Sequence, residues 1–426
     1  MKDNPYGKWY RLDNAATIFP AQNTKTWSNL FRFSLRLTEP VDPDVLRAAL
    51  ETVLPRFPAL KVRIRPGLFW YYFEENPMPA PPVMPDVNNP CHRIRFNEND
   101  RYLFRVYYYG NTIAIDFYHA LTDGHGGAVF TCTLAAQYLR LKGHDIPAGG
   151  FVLDLADEPS EAELEDAFVK NATSAGKLKR AEHFVYHSQG TKLPRHLVRV
   201  TSGTLELEQV KALAAEKNVT VTELLAAVLL DLHIRKQRAE TKKQKEVCVQ
   251  IPIDLRRVYG SDTLRNFTIC LRVVIDPNLG DYSFDELLQQ AALQLRLARD
   301  KNKLNAMITQ NLGLQTNPVL RFIPLPVKNA GLGAVFAVTG EQTTSALLTN
   351  LGPVDLPPAM QALTDKALFM PSPGIRTAAR LGVTTLNGKL VITFSDVYEE
   401  RTVEREFFTA LVKLGLHVKI ECNRDD

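Results

Sequence analysis

The chain has 426 residues and is 45% hydrophobic, long enough for two packed domains and far from the composition of a disordered protein. Its 51 basic and 47 acidic residues leave a net charge of +4, a near balance that gives no electrostatic case for nucleic acid or for acidic membranes as partners. The five cysteines, Cys91, Cys132, Cys248, Cys270 and Cys422, lie far apart without a Cys-x-x-Cys pair, so zinc ribbons and dithiol redox sites drop out and reduced thiols are expected.

The opening MKDNPYGKWYRLDN lacks an apolar signal core, and the longest apolar run, near Leu224 to Leu230, is too short to span a bilayer. A cytoplasmic protein without membrane insertion is the expectation. Without export, the sequons at Asn171, Asn218 and Asn266 carry no meaning.

In chain order, the alternation from Trp27 to Leu37 predicts a strand, and Asp42 caps a helix running to about Val53 and stopped by Pro55. Between Leu60 and Phe73 two extended stretches flank Pro66-Gly67 and predict a hairpin. Pro77 to Pro90 holds six prolines and is expected to lack regular structure, as a surface loop or a channel wall. Leu103–Tyr109 and Thr112–Phe117 predict two strands joined at Gly110-Asn111. A helix is expected from Ala128 to Lys142, ended by Gly143.

From Gly149 to about His196 an acidic run (Asp154 to Asp166) gives way to a basic one (Lys170 to Arg180), which marks a crossover between domains 1–180 and 181–426. The second half predicts a strand at Val198–Leu205, helices at Glu208–Lys217 and Val221 to about Gln237, the latter buried, and strands at Glu246–Ile253 and Phe267–Ile275. A long helix at Phe284 to about Lys303 precedes an irregular stretch to Val327. Extended segments are expected near Gly333–Val338, Ser345–Thr349, Ile375–Leu386 and Lys389–Phe394, the last two joined at Asn387-Gly388, before a closing helix at Val403–Leu416. No tandem repeat of fixed period is present.

The most informative stretch is TIAIDFYHALTDGHGGAV, Thr112 to Val129. An alternating strand with Ile113, Ile115 and Phe117 on one face delivers His119 to a glycine-rich turn, where it could accept a proton near neutral pH. A lone histidine is more readily a core side chain satisfying a buried carbonyl. Asp123, four residues on, could reach the imidazole or be structural. His119, Asp123 and His125 also raise a metal reading, but zinc needs three or four convergent ligands, and His183 and His187 fall in the crossover. No metal is therefore expected. There is no Gly-x-Ser-x-Gly elbow, no phosphate loop and no Gly-x-Gly-x-x-Gly after a strand; Gly331-Leu332-Gly333 is expected to be a turn.

His119, Asp123 and Gly124 form His-x-x-x-Asp-Gly, which resembles the signature of the superfamily holding chloramphenicol acetyltransferase, condensation domains and alcohol acetyltransferases. Ile251-Pro-Ile-Asp-Leu-Arg256, Asn266-Phe267, Thr349-Asn350-Leu351-Gly352 and KLVITFSDVYEERTVEREF look like counterparts of segments in the alcohol acetyltransferase-like branch. The resemblance covers most of the chain. It implies an α/β (α+β) fold of two chloramphenicol-acetyltransferase-like domains, each a mixed sheet flanked by helices, with a channel between them.

By the same resemblance, His119 is a general base that activates an alcohol for direct attack on an acyl-CoA, with acetyl-CoA as co-substrate and no bound cofactor. Asp123 shapes the turn and pairs with an arginine, for which Arg256 is the candidate; Gly124 gives backbone freedom. Asn266, Thr268 and Asn350 are candidates to stabilise the oxyanion. Tyr118 stands where condensation domains often carry a second histidine, and the plant-type Asp-Phe-Gly-Trp-Gly segment is missing. The alternatives are an enzyme using an amine acceptor or a donor bound to an acyl-carrier protein, and a non-catalytic relative that binds a small molecule.

Overall fold

The computed structural model describes residues 8–24, 28–173, 183–194, 197–317 and 321–424, and omits the side chains of 314–316 and 337–339. Trp27, much of the basic run and the 180/181 boundary lie outside the described residues.

Two mixed sheets carry the molecule. The first has five strands. Leu30–Leu37 pairs with Thr112–Tyr118, which pairs with Phe104–Tyr109 across the turn at Gly110, where φ is +51°. Strand pairing here follows the alternation, since Phe31, Phe33 and Leu35 meet Phe117, Ile115 and Ile113 in register. Val83–Pro85, inside the proline-rich segment where no regular structure is expected, forms a short parallel edge strand; its one proline, Pro85, is tolerated because an edge leaves one side of the backbone unpaired. The fifth strand, Thr364–Met370, comes from late in the chain and pairs antiparallel with Leu30–Leu37.

The second sheet has seven strands, ordered Thr268–Ile275, Val247–Asp254, Ala346–Pro353, Ala379–Leu386, Lys389–Asp396, Arg199–Glu206 and Lys419–Cys422. Ala346–Pro353 runs parallel to both its neighbours. Against this sheet lies the helix Val221–Glu240, closed at its start by a capping box of Thr220 and Glu223 and buried along Leu224–Leu230. A small sheet of Trp9–Arg11, Val62–Pro66 and Tyr71–Glu75 completes the strands described here.

Several expectations are corrected. The helix after the motif runs from Gly124 to Leu141, not from Ala128, because Asp123 caps it and its glycines sit in the first turn. The predicted helix from Phe284 stops at Ala298, and a second, Lys301–Thr316, starts under an Asp300 cap. Gly333–Val338, read as extended, and Gly331-Leu332-Gly333, read as a turn, both lie in a helix, Leu325–Thr339, entered through Pro324 and Pro326. Among the described residues, no helix is long and apolar enough to cross a membrane.

Candidate active site

The two large sheets share a cavity of about 950 Å³. Phe31, His119, Gly124 and His125 line it from the first half; Asn266, Thr268, Leu271, Asn350 and Leu351 line it from the second. Phe19, Phe151, Phe168 and Phe369 add apolar wall. All seven residues singled out from the sequence lie in the cavity wall or directly behind it, Arg256 being the one behind.

His119 follows the last residue of the strand Thr112–Tyr118, and its backbone N–H donates to the Asn29 carbonyl at 2.8 Å. The imidazole stacks on Phe19, with centroids 4.9 Å apart, and meets the edge of Phe31 at 5.1 Å. Its Nδ1 lies 3.0 Å from Asn266 Oδ1. Asn266 Nδ2 donates to the His119 carbonyl at 3.0 Å and to Asp13 Oδ2 at 3.1 Å, so the amide is oriented with its oxygen toward the ring. An acceptor at Nδ1 requires the proton on Nδ1 and leaves the lone pair on Nε2. Burial lowers the imidazole pKa below its ordinary value, against a hydrogen bond to its own backbone, the field of Asp123 and the Asn266 amide, so the ring is neutral at pH 7.

Asp123 does not hydrogen-bond the imidazole. It caps the helix Gly124–Leu141 through Gly126 N–H at 3.3 Å and forms a bidentate pair with Arg256, both contacts at 3.0 Å. The Phe267 N–H adds a third anchor to its Oδ2 at 2.9 Å. Burial acts to raise this carboxyl, yet Arg256 outweighs it and holds the group below the usual carboxylate range. Arg256 is fixed in turn by Asp254 and by the carbonyls of Thr263 and Arg265, so the first half is clamped to the second at the motif.

Gly124 has no positive φ, so its requirement is space and not backbone freedom. A Cβ there would stand 2.6 Å from Leu351 Cδ2 and 3.3 Å from Phe369.

The three oxyanion candidates separate. Asn266 is committed to Asp13 and His119, and Asn350 donates to Thr222 Oγ1 at 3.0 Å while accepting from Gly352 N–H at 2.8 Å. Thr268 faces the cavity, and its hydroxyl has no hydrogen bond among the described residues. His125 packs edge-on against Phe151, and burial followed by Arg256 lowers its pKa. Among the described residues no group of three or more histidine, cysteine or acidic side chains is placed to hold a metal. His183, assigned from sequence to the crossover, reaches the cavity beside Glu246, 3.3 Å from its carboxylate.

Sequence reasoning missed Asp13. Fully buried, it accepts from the Asn266 amide and from Ala16 N–H, and Arg265 Nε lies 3.7 Å away. The only local signal is the LDNAA stretch, which reads as a helix cap.

No protein-family model matches the chain, and no curated protein matches it in sequence. Solved structures do match in shape. Polyketide synthase associated protein 5 from Mycobacterium tuberculosis is 15% identical with a TM-score of 0.62, over 94% of this chain and 97% of that one. The TRI101 protein of F. sporotrichioides, solved with coenzyme A and T-2, is 10% identical with a TM-score of 0.63, over 97% and 100%. The starter condensation domain of rhizomide synthetase RzmA, solved as a mutant with C8-CoA and Leu-SNAC, is 15% identical with a TM-score of 0.56, over 96% and 94%. Two mixed sheets flanked by helices, with a cavity between them, thus give this chain the fold seen in the TRI101 protein and the RzmA starter condensation domain.

Proposed function

We propose that the protein is an acyltransferase that moves an acyl group from acyl-CoA to the hydroxyl of a small alcohol, with His119 as general base. The observation that carries this reading is the imidazole itself: neutral, held at Nδ1 by Asn266, and on the wall of a cavity built from both halves of the chain. Coenzyme A or an acyl-CoA is bound in structures of several proteins of this fold, which supports the thioester donor.

The acceptor hydroxyl gives its proton to His119 Nε2 as its oxygen attacks the thioester carbonyl carbon. The tetrahedral intermediate collapses by breaking the carbon–sulfur bond, and the imidazolium returns the proton to the departing thiolate. Ester and free thiol result, without an acyl-enzyme. The Thr268 hydroxyl and the second amide N–H of Asn350 are the donors left for the oxyanion, since both amide hydrogens of Asn266 are taken. Asp123 and Arg256 hold the halves together and take no proton.

The test is free-thiol release from acetyl-CoA and longer acyl-CoAs with a panel of alcohols and amines, for wild type and His119→Ala. Release that needs the acceptor and falls about 10²-fold or more in the variant supports the reading. Transfer from a carrier-bound thioester alone, or to amines alone, would move the donor or acceptor class while keeping the base. Equal release by both proteins would overturn the role of His119.

A further inference from the structure

Asp13 bears on His119 from both sides. Its Oδ2 accepts from Asn266 Nδ2 at 3.1 Å and from Asn266 N–H at 3.4 Å. A flipped Asn266 amide would turn its oxygen toward two acceptors, this carboxylate and the His119 carbonyl 3.0 Å away, and turn its NH₂ toward the ring. The carboxylate and the His119 carbonyl together therefore decide which end of the amide faces Nδ1, and the carboxylate is the one of the two that a substitution can change. Its other oxygen, Oδ1, accepts from Ala16 N–H at 2.8 Å and so holds the short turn Ala15–Ile18. That turn runs directly into Phe19–Gln22, and Phe19 is the ring stacked on the imidazole. One carboxylate thus anchors the in-plane partner of His119 with one oxygen and its stacking partner with the other.

We infer that Asp13 is a positioning residue that sets the tautomer of His119, acting through Asn266 to keep the proton on Nδ1 and the lone pair on Nε2. Its effect on turnover rests on the reading of His119 as a base; its effect on the tautomer does not. Burial pushes the Asp13 carboxyl up to about 6, against Arg265, with Asp166 adding to the rise. At pH 7.5 the group is therefore ionised and accepts at both oxygens.

Asp13→Asn keeps the shape and replaces one acceptor by a donor. With the Ala16 N–H still claiming the remaining oxygen, the new NH₂ faces both the backbone and the side-chain donors of Asn266; the side chain answers by turning over, which sets its oxygen against the His119 carbonyl and offers its own NH₂ to Nδ1. The imidazole then moves its proton to Nε2. The double variant Asp13→Asn/Asn266→Asp restores an acceptor at Nδ1: the new carboxylate at 266 accepts from the new amide at 13 and from Nδ1–H, while the His119 carbonyl loses the donor it had.

The experiment is two-bond ¹H–¹⁵N correlation on protein labelled with ¹⁵N-histidine, at pH 7.5, with His119 assigned by its loss in His119→Gln. Wild type shows the Nδ1–H form, Asp13→Asn shifts to the Nε2–H form, and the double variant returns toward Nδ1–H. In the acyl-transfer assay, Asp13→Asn loses about 10²- to 10⁴-fold in kcat with KM changed less than about threefold, and the double variant recovers about tenfold or more. A wild-type tautomer in Asp13→Asn overturns the inference. If that variant does not fold, Asn266→Ala reads the same chain, and an undisturbed Nδ1–H form there overturns it as well. A tautomer that shifts as described while no protein transfers acyl groups would sink the proposed reaction and leave the role of Asp13 standing.

Discussion

Replacing Asp123 by alanine should cost stability as well as rate. The carboxylate is 1% exposed and carries two contacts to Arg256 and one to the Phe267 N–H, besides capping a helix through Gly126. Removing one member of a buried ion pair costs about 3–5 kcal/mol, and loss of an N-cap costs about 1 kcal/mol. Asp254, whose side chain is 38% exposed, still neutralises part of Arg256, which brings the total to about 3–5 kcal/mol. At about 2–4 °C per kcal/mol for domains of this size, the melting midpoint should fall by about 6 °C or more. The depressed Asp123 pKa means that the stabilisation is present above the ordinary carboxylate range and is lost only as pH drops through the lower folded value. Scanning calorimetry at pH 5 and pH 7 should therefore show the same deficit at both. A variant that melts within about 2 °C of wild type while losing turnover would refute the structural role and make Asp123 a participant in the chemistry.

Gly124→Ala should destabilise by about 1–3 kcal/mol, because its methyl would meet Leu351 and Phe369; urea unfolding measures this, and an unchanged midpoint would show that the wall yields freely. Since burial lowers the His119 pKa and the proposed base has to be neutral, the acid limb of kcat/KM should have its midpoint below pH 6.5, and an inflection above that value would contradict the assigned environment. Burial, with Glu404 beside it, pushes the Asp396 carboxyl up to about 8, so the unfolded chain ionises before the folded one and this group lowers stability as pH rises from about 4 to about 8. Asp396→Asn should therefore raise the melting midpoint more at pH 8 than at pH 5. Equal shifts at both values would mean that the carboxyl is already charged in the folded protein.

The strands that build the cavity were legible because each buries one face: Ile113, Ile115 and Phe117 are fully enclosed, and the alternation says so directly. The start of the motif helix was not, because glycine is a poor helix former and reads as a turn. The glycines are there for packing, Gly124 against Leu351 and Gly127 against Phe31, and neither partner is near in sequence. Leu325–Thr339 defeated the reading for a similar reason: its apolar residues show no helical stripe, and Gly331 and Gly333 interrupt it. Arg256 could be reached only through resemblance, since its carboxylate partner lies 133 positions away. Asp13 was out of reach, because its meaning depends on an amide 253 positions further along.

The late strand Thr364–Met370 bears on how the protein is made. Until it arrives, Leu30–Leu37 is the open edge of the first sheet, with the apolar sequence LFRFSLRL and its backbone groups unpaired on that side. At ribosomal speeds of about 5–20 residues per second, roughly 330 residues of synthesis keep that edge waiting for about 16 to 65 s. The nascent chain thus spends that time as a template for wrong pairing, and a fragment truncated before Thr364 never leaves that state. Protection of that edge during translation is thus a requirement that the finished fold no longer displays.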